Sequence, residues 1–169
     1  MKDVLIIIIV IICILSCTVC NDLEKIKYII PQEITCSMKI PNDYRFERHE
    51  ALCEEKEDFY YYEDSSFIYI SSFKVSPNYN NIKNLGDGIV AYRFQNKELI
   101  KEINLEVGRE VLKILPDTFE LSGLNERGLF WKDIKINNIT IGYDNVSKGR
   151  KDIFDNALKS FKKRAKGGK

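Results

Sequence analysis

One histidine, His49, serves 169 residues, and that scarcity narrows the chemistry open to the chain. General acid–base and nucleophilic catalysis need groups that exchange protons or attack near neutral pH. His49 stands between Arg48 and Glu50 in a polar stretch, without a Gly-x-Ser-x-Gly elbow or a recognisable partner serine. It reads as a surface histidine, and the chain as a non-enzyme. A single histidine also speaks against zinc, so no metal site is expected. Leu85-Gly86-Asp87-Gly88 lacks the lysine and Ser/Thr of a phosphate loop, and no cofactor is expected. The acids Glu54-Glu55 and Glu57-Asp58 lack the alternation with glycine that a calcium loop needs. The carboxylate pair of a glycosidase is defined by a spatial separation that sequence does not carry. There is no internal repeat, and a net charge of +1 gives no reason to expect nucleic acid as a partner.

Long apolar runs are likewise missing, except at one place. Residues 4–15 are twelve consecutive apolar residues behind Lys2 and Asp3, running into Ser16-Cys17. A membrane-crossing helix needs about 20 apolar residues, so this run reads as the core of an export signal covering residues 1–16. Counted through Cys20 it reaches 17 residues, which keeps an uncleaved anchor open. Ile14-Leu15-Ser16-Cys17 resembles the bacterial lipobox, and the resemblance implies lipidation at Cys17. A plain signal peptide is the alternative. Either way the expected location is the cell envelope, membrane-anchored and facing the periplasm, or secreted. In an oxidising compartment cysteines can pair, and Cys36 with Cys53 is the preferred disulfide, closing a loop of about 17 residues for about 3 kcal/mol.

What remains after the leader is 153 residues of globular composition, 44% hydrophobic and 30% charged over the whole chain. Charge is segregated. Residues 47–64 carry eight acids against Arg48 and Lys56, and residues 148–169 carry nine bases against Asp152 and Asp155. The two segments could face each other, or the basic end could lie near anionic lipid; solvated helix ends are the plain alternative. Phe59-Tyr60-Tyr61-Tyr62 reads as a strand whose tyrosines offer contact area at low entropic cost. The candidate partner-binding surface is Tyr60 and Tyr62 with Glu54, Glu55, Glu57 and Asp58; core packing is the alternative. Asn138 and Asn145 head glycosylation sequons that matter only in a eukaryotic secretory route.

Ile34 to Ile40 alternates apolar and polar residues, as a half-buried strand does, and Pro41-Asn42-Asp43 makes a turn. Phe67 to Val75 begins apolar on both faces, the mark of a central strand. Pro77 to Gly88, with four asparagines, reads as a loop. Leu99, Ile100, Ile103, Val107, Val111, Leu112 and Leu115 recur at helical steps up to Pro116, predicting a long middle helix that Gly108 weakens. Then come strands over 119–124, 129–136 and 139–146, with Asn137-Asn138 as a two-residue hairpin turn pairing Ile136 with Ile139 and Ile134 with Ile141. Ser147 is placed to cap a final helix with Ile153, Phe154, Ala157, Leu158 and Phe161 as its buried stripe and Lys162, Lys163 and Arg164 at its end.

These elements predict an α+β fold, a mostly antiparallel sheet with a long middle helix and a C-terminal helix packed on it. Residues 17–33 are read as linker and first strand, 34–164 as a single domain and 165–169 as a basic tail. Three segments, Met38-Lys39-Ile40-Pro41-Asn42-Asp43-Tyr44, Phe67 to Phe73, and Phe154 to Phe161, resemble small exported lipoproteins with the Mog1/PsbP-like (DcrB-like) fold. That resemblance implies a non-catalytic envelope or accessory protein; the leader adds the expectation of a membrane anchor through lipid or an uncleaved signal, and the tyrosine-rich acidic segment that of a protein partner. The alternatives are a periplasmic immunity or inhibitor protein that neutralises a toxin or enzyme, and a secreted eukaryotic glycoprotein.

Overall fold

A computed structural model describes residues 23–30, 34–51, 55–73, 75–85, 90–91, 97–113, 116 and 118–165. In chain order the elements are β1 (Leu23–Ile30), β2 (Ile34–Pro41), β3 (Arg45–Glu50), β4 (Lys56–Tyr61), β5 (Phe67–Ser71), α1 (Tyr79–Lys83), β6 (Val90–Ala91), α2 (Lys97–Val107), β7 (Leu112–Lys113), β8 (Thr118–Leu124), β9 (Phe130–Ile136), β10 (Ile139–Val146), α3 (Lys151–Lys159) and β11 (Lys162–Ala165). Two antiparallel sheets dominate, one of six strands in the order β3-β4-β5-β10-β9-β8 and one of three in the order β1-β2-β11. A two-residue parallel pair joins β6 to β7.

The reason these strands form is the period of two in their side chains. On β2, Cys36, Met38 and Ile40 are buried while Lys39 is exposed. Along β5, Ile68, Tyr69 and Ile70 are all sealed, as the two-sided apolar pattern of a central strand demands. The β9–β10 hairpin pairs Ile136 with Ile139 and Ile134 with Ile141, the expected register, with Asn137 at φ 54° in its turn. Ile26, Tyr28, Cys36, Met38 and Ile40 of the small sheet meet Tyr60, Ile68, Ile70, Ile141 and Tyr143 of the large one, and Phe154, Ala157 and Leu158 of α3 close the same core. Each large apolar side chain buried there is worth about 1.5–3 kcal/mol.

The middle of the chain departs from expectation. The helix α2 has 11 residues and ends at Gly108, whose φ of +69° is the left-handed conformation that stops a helix. Beyond it the chain turns back, the Val111 N–H donating to Asn104 Oδ1 at 2.9 Å, and Leu112–Lys113 is strand rather than helix. The asparagine-rich segment holds the five-residue helix α1 where only loop was expected. No side chain caps α3, so Ser147 is not its cap. Only the Ser147 carbonyl takes part, accepting from the Arg150 N–H in the preceding turn. Lys162, Lys163 and Arg164 do not end the helix but form β11 on the open edge of β2. Among the described residues no helix is long and apolar enough to cross a membrane; the apolar run of residues 4–15, with Cys17, lies outside them.

Candidate functional site

The three strands β3, β4 and β5 fix where each candidate side chain points. Their register sets up three rows on the face turned away from the core: Arg45 beside Tyr61 beside Phe67, Glu47 beside Phe59 beside Tyr69, and His49 beside Glu57 beside Ser71. Because alternate residues face opposite ways, Asp58, Tyr60 and Tyr62 point into the protein. The candidate partner surface is therefore corrected. Tyr60 is 3% exposed and Tyr62 7%, both within the core, and Asp58 is fully buried. Glu57 lies on the outer face but is itself buried, and Glu55 is half-buried. Glu54 lies outside the described residues. The cause is the pleat: four aromatics in a row must send two to each side.

Tyr61, its neighbour in sequence, is the residue that faces out. The Tyr61 ring lies 5.5 Å from Phe67 and 5.5 Å from Phe59, stacked within 12° on the latter, and the Arg45 guanidinium sits 4.8 Å over it. At the end of this ladder is an open groove of about 610 Å³ lined by Asp43, Arg45, Tyr61, Tyr62, Glu63, Ser65, Phe67 and Asn145. Three of its lining residues, Asp43, Ser65 and Asn145, have φ of 62°, 67° and 60°. Asn145 sits in a bulge of β10 between Tyr143 and Val146, which turns it toward the groove. Its Oδ1 accepts from Asn125 Nδ2 at 2.8 Å and from Arg127.

Electrostatics divide the outer face. Glu47 takes Arg45 at 2.9 Å and His49 Nε2 at 2.7 Å, and hydrogen bonds from those two hold its carboxyl below the usual range. The His49 ring leans on Phe59 at 5.3 Å. Glu57 is pushed up by burial, against the opposing hydrogen bond from Ser71. On the inner side, Arg48 clamps Asp58 with two bonds, Nε to Oδ1 at 2.6 Å and Nη2 to Oδ2 at 2.8 Å.

Sequence reasoning missed a fully buried carboxyl and the donors around it. Asp133 of β9 is fully buried and accepts from Tyr69, Ser76 and Asn78, with Asn78 Nδ2 at 2.7 Å. The same amide donates to the Tyr143 carbonyl at 3.0 Å. Burial pushes the Asp133 carboxyl up despite these donors. The signal was Gly142, a glycine inside an otherwise apolar strand: a Cβ there would collide with the Tyr69 hydroxyl and the Lys132 carbonyl. The cluster ties the segment that crosses from β5 to β8 onto the sheet.

Cys36 is a free, buried thiol whose pKa burial raises, and Cys53 lies outside the described residues. The expected disulfide is accordingly not seen at Cys36, which points into the core between the sheets. Asn138 is exposed in the hairpin turn. Among the described residues no group of three or more His, Cys, Asp or Glu stands close enough to hold a metal ion. Compared with protein-family models, with curated proteins and with solved structures, the chain matches none.

Proposed function

We propose that the chain is an exported envelope protein, held at the membrane by a lipid on Cys17 or by its uncleaved apolar leader, that acts by binding a partner and not by catalysis. The observation that carries the binding is the groove, where Tyr61 and Phe67 offer an apolar floor and Arg45, Asp43 and Glu63 stand on the rim. Apolar area with a few placed polar groups is the general make-up of a binding site. The membrane half rests on residues 4–17 of the sequence. Of the segments that resemble DcrB-like lipoproteins, 38–44 spans the end of β2 and the turn after it, 67–73 contains β5, and 154–161 contains most of α3.

Two experiments test the two halves. Metabolic labelling with a fatty acid should mark the wild type and not Cys17→Ala; label on that variant overturns the lipid anchor. A partner captured from an envelope extract should be lost with Tyr61→Ala and Phe67→Ala, whereas equal retention by both overturns the groove.

An inhibitor that met its toxin through the tyrosine-rich acidic segment is disfavoured. Tyr60, Tyr62, Glu57 and Asp58 are buried, so a toxin would have to be met by the groove. The glycoprotein reading keeps one observation in its favour, the exposed Asn138, and a glycosidase mobility shift lost in Asn138→Gln tests it.

A further inference from the structure

The period of two that buries one side of the small sheet also sorts its charges. Register pairs Lys25 with Lys39, Lys27 with Ser37, and Ser37 with Lys162; Ile29 pairs with Thr35, which pairs with Arg164. All of these lie on the side away from the core, since Ile26, Tyr28, Cys36, Met38 and Ile40 fill the other. Strands about 4.8 Å apart and residues about 6.8 Å apart along a strand place the five cations within about 10 by 14 Å. All five are exposed, and none makes an ion pair with another described residue. The single acid of the three strands, Glu24, is on the opposite side and accepts from the Tyr44 hydroxyl at 3.0 Å.

Two lysines directly opposite each other weaken a sheet, and an isolated basic face in a chain of net charge +1 asks for an external counter-charge. Leu23 and Ile29 lie on this same face, 50% and 59% exposed, so it offers apolar side chains among the cations. Only seven residues separate Leu23 from the end of the apolar run at Leu15, a tether of at most about 28 Å.

We propose that the outer face of the β1-β2-β11 sheet is a docking surface for a membrane bearing anionic lipid. Lys25, Lys27, Lys39, Lys162 and Arg164 meet the headgroups, and Leu23 and Ile29 enter the interface. The proposal rests on the anchored reading only for the nearness of the membrane; the charge pattern stands without it. Each cation near such a surface strengthens binding about fivefold, and salt screens the effect.

The test is co-sedimentation of the full chain with vesicles of phosphatidylcholine alone and vesicles that also contain phosphatidylglycerol, at low and high salt. The wild type is expected to prefer the anionic vesicles at least tenfold at low salt and to lose the preference at high salt. The variant K25Q/K27Q/K39Q/K162Q/R164Q is expected to bind both vesicle types alike, with its melting temperature within a few degrees of wild type. K25Q/K39Q, which removes the opposed lysine pair and keeps the fold, loses part of the preference. Polar substitutions in the apolar run, Ile8→Asn with Ile11→Asn, are expected to weaken binding to both vesicle types and leave the anionic preference in place; binding to both types that these substitutions leave unchanged sinks the independent anchor without touching this face. An anionic preference that survives all five Gln substitutions overturns the proposal. So does binding of the wild type to duplex DNA as tight as to the anionic vesicles at equal phosphate.

Discussion

On the face of the six-stranded sheet that meets the small sheet, Tyr60, Ile68, Ile70, Ile141 and Tyr143 are packed shut. On its other face Tyr61 and Phe67 are half-exposed, while Asp133 is sealed beneath Asn78. Two tyrosines of the inner side bury their rings and pass their hydroxyls to a partner at the margin: Tyr62 donates to the Pro41 carbonyl at 3.0 Å and Tyr143 to Asp155 at 2.9 Å. Tyr28 of the small sheet does the same with the Lys56 carbonyl at 2.6 Å. The inner face is held by buried area and the outer one by directed bonds around one carboxyl. Area is indifferent to pH; a carboxyl in a dry site is not.

The largest test of this contrast pits one phenylalanine against another. Phe154 is fully buried between Tyr62 and Tyr143, at 5.3 and 5.7 Å, so Phe154→Ala should cost about 3–5 kcal/mol in urea unfolding. Phe67→Ala, on the groove, should cost about 1 kcal/mol. Equal losses would mean that the outer ladder is core as well. Next in size is the Arg48–Asp58 clamp at the rim of the inner face, where the Arg48 side chain is 38% exposed and that of Asp58 1%. Removing either partner breaks the same bonds but leaves different remnants. Arg48→Ala strands a buried carboxylate and should cost about 3 kcal/mol. Asp58→Ala frees an arginine to turn into water and should cost about 1 kcal/mol. Unfolding curves that shift by the same amount would refute the asymmetry.

The alternation along β2 was readable because one face is wet and apolar residues fall on the other, and the β9–β10 hairpin because Asn137-Asn138 marks its turn and fixes the register. The same rule failed on Phe59-Tyr60-Tyr61-Tyr62, where both faces are aromatic and only the register with β3 and β5 decides which rings are inside. β11 reads Lys-Lys-Arg-Ala and has no apolar pattern; it is a strand because the backbone of β2 offers an unpaired edge. The long middle helix was over-read because its apolar steps continue past Gly108, where the backbone cannot. Asp133 gave little warning, since a charged residue within a strand ordinarily faces solvent, and here the crossing segment covers it.

The Asp133 cluster sharpens the contrast through pH. Its folded-state pKa is raised by burial, so the native state holds the proton more tightly than the unfolded chain does. The native advantage of that carboxyl is complete below its unfolded pKa and is lost as pH rises through the folded value. Against wild type, Asp133→Asn should lose about 1 kcal/mol in acid, and the gap should shrink as pH rises. A gap that widens with pH would show that the donors from Tyr69, Ser76 and Asn78 outweigh burial and that the site favours the charged form.

The smallest effect, that of Asp64, lies where the two faces meet. Arg150 stands over the rings of Tyr62 and Phe154, 4.8 and 4.9 Å from their centres, and reaches Asp64 in the turn beside the groove at 2.7 Å. That pair is a direct link between the acidic and basic segments of the chain. Burial pushes the Asp64 carboxyl up, but hydrogen bonds from Ser66 and Arg150 outweigh it and hold it below its ordinary value. The stabilisation is thus present above the unfolded carboxylate pKa and fades as pH falls through the folded one. The Asp64 side chain is 39% exposed, so screening leaves the ion pair worth about 0.5 kcal/mol or less, and Asp64→Asn should cost no more than that. Arg150→Ala also removes the cation from two rings and should cost about 1–2 kcal/mol, with most of that loss unaffected by salt. If the two variants instead lose the same amount, and salt erases both losses, then Arg150 is tied only to the turn and the inner core ends at Phe154.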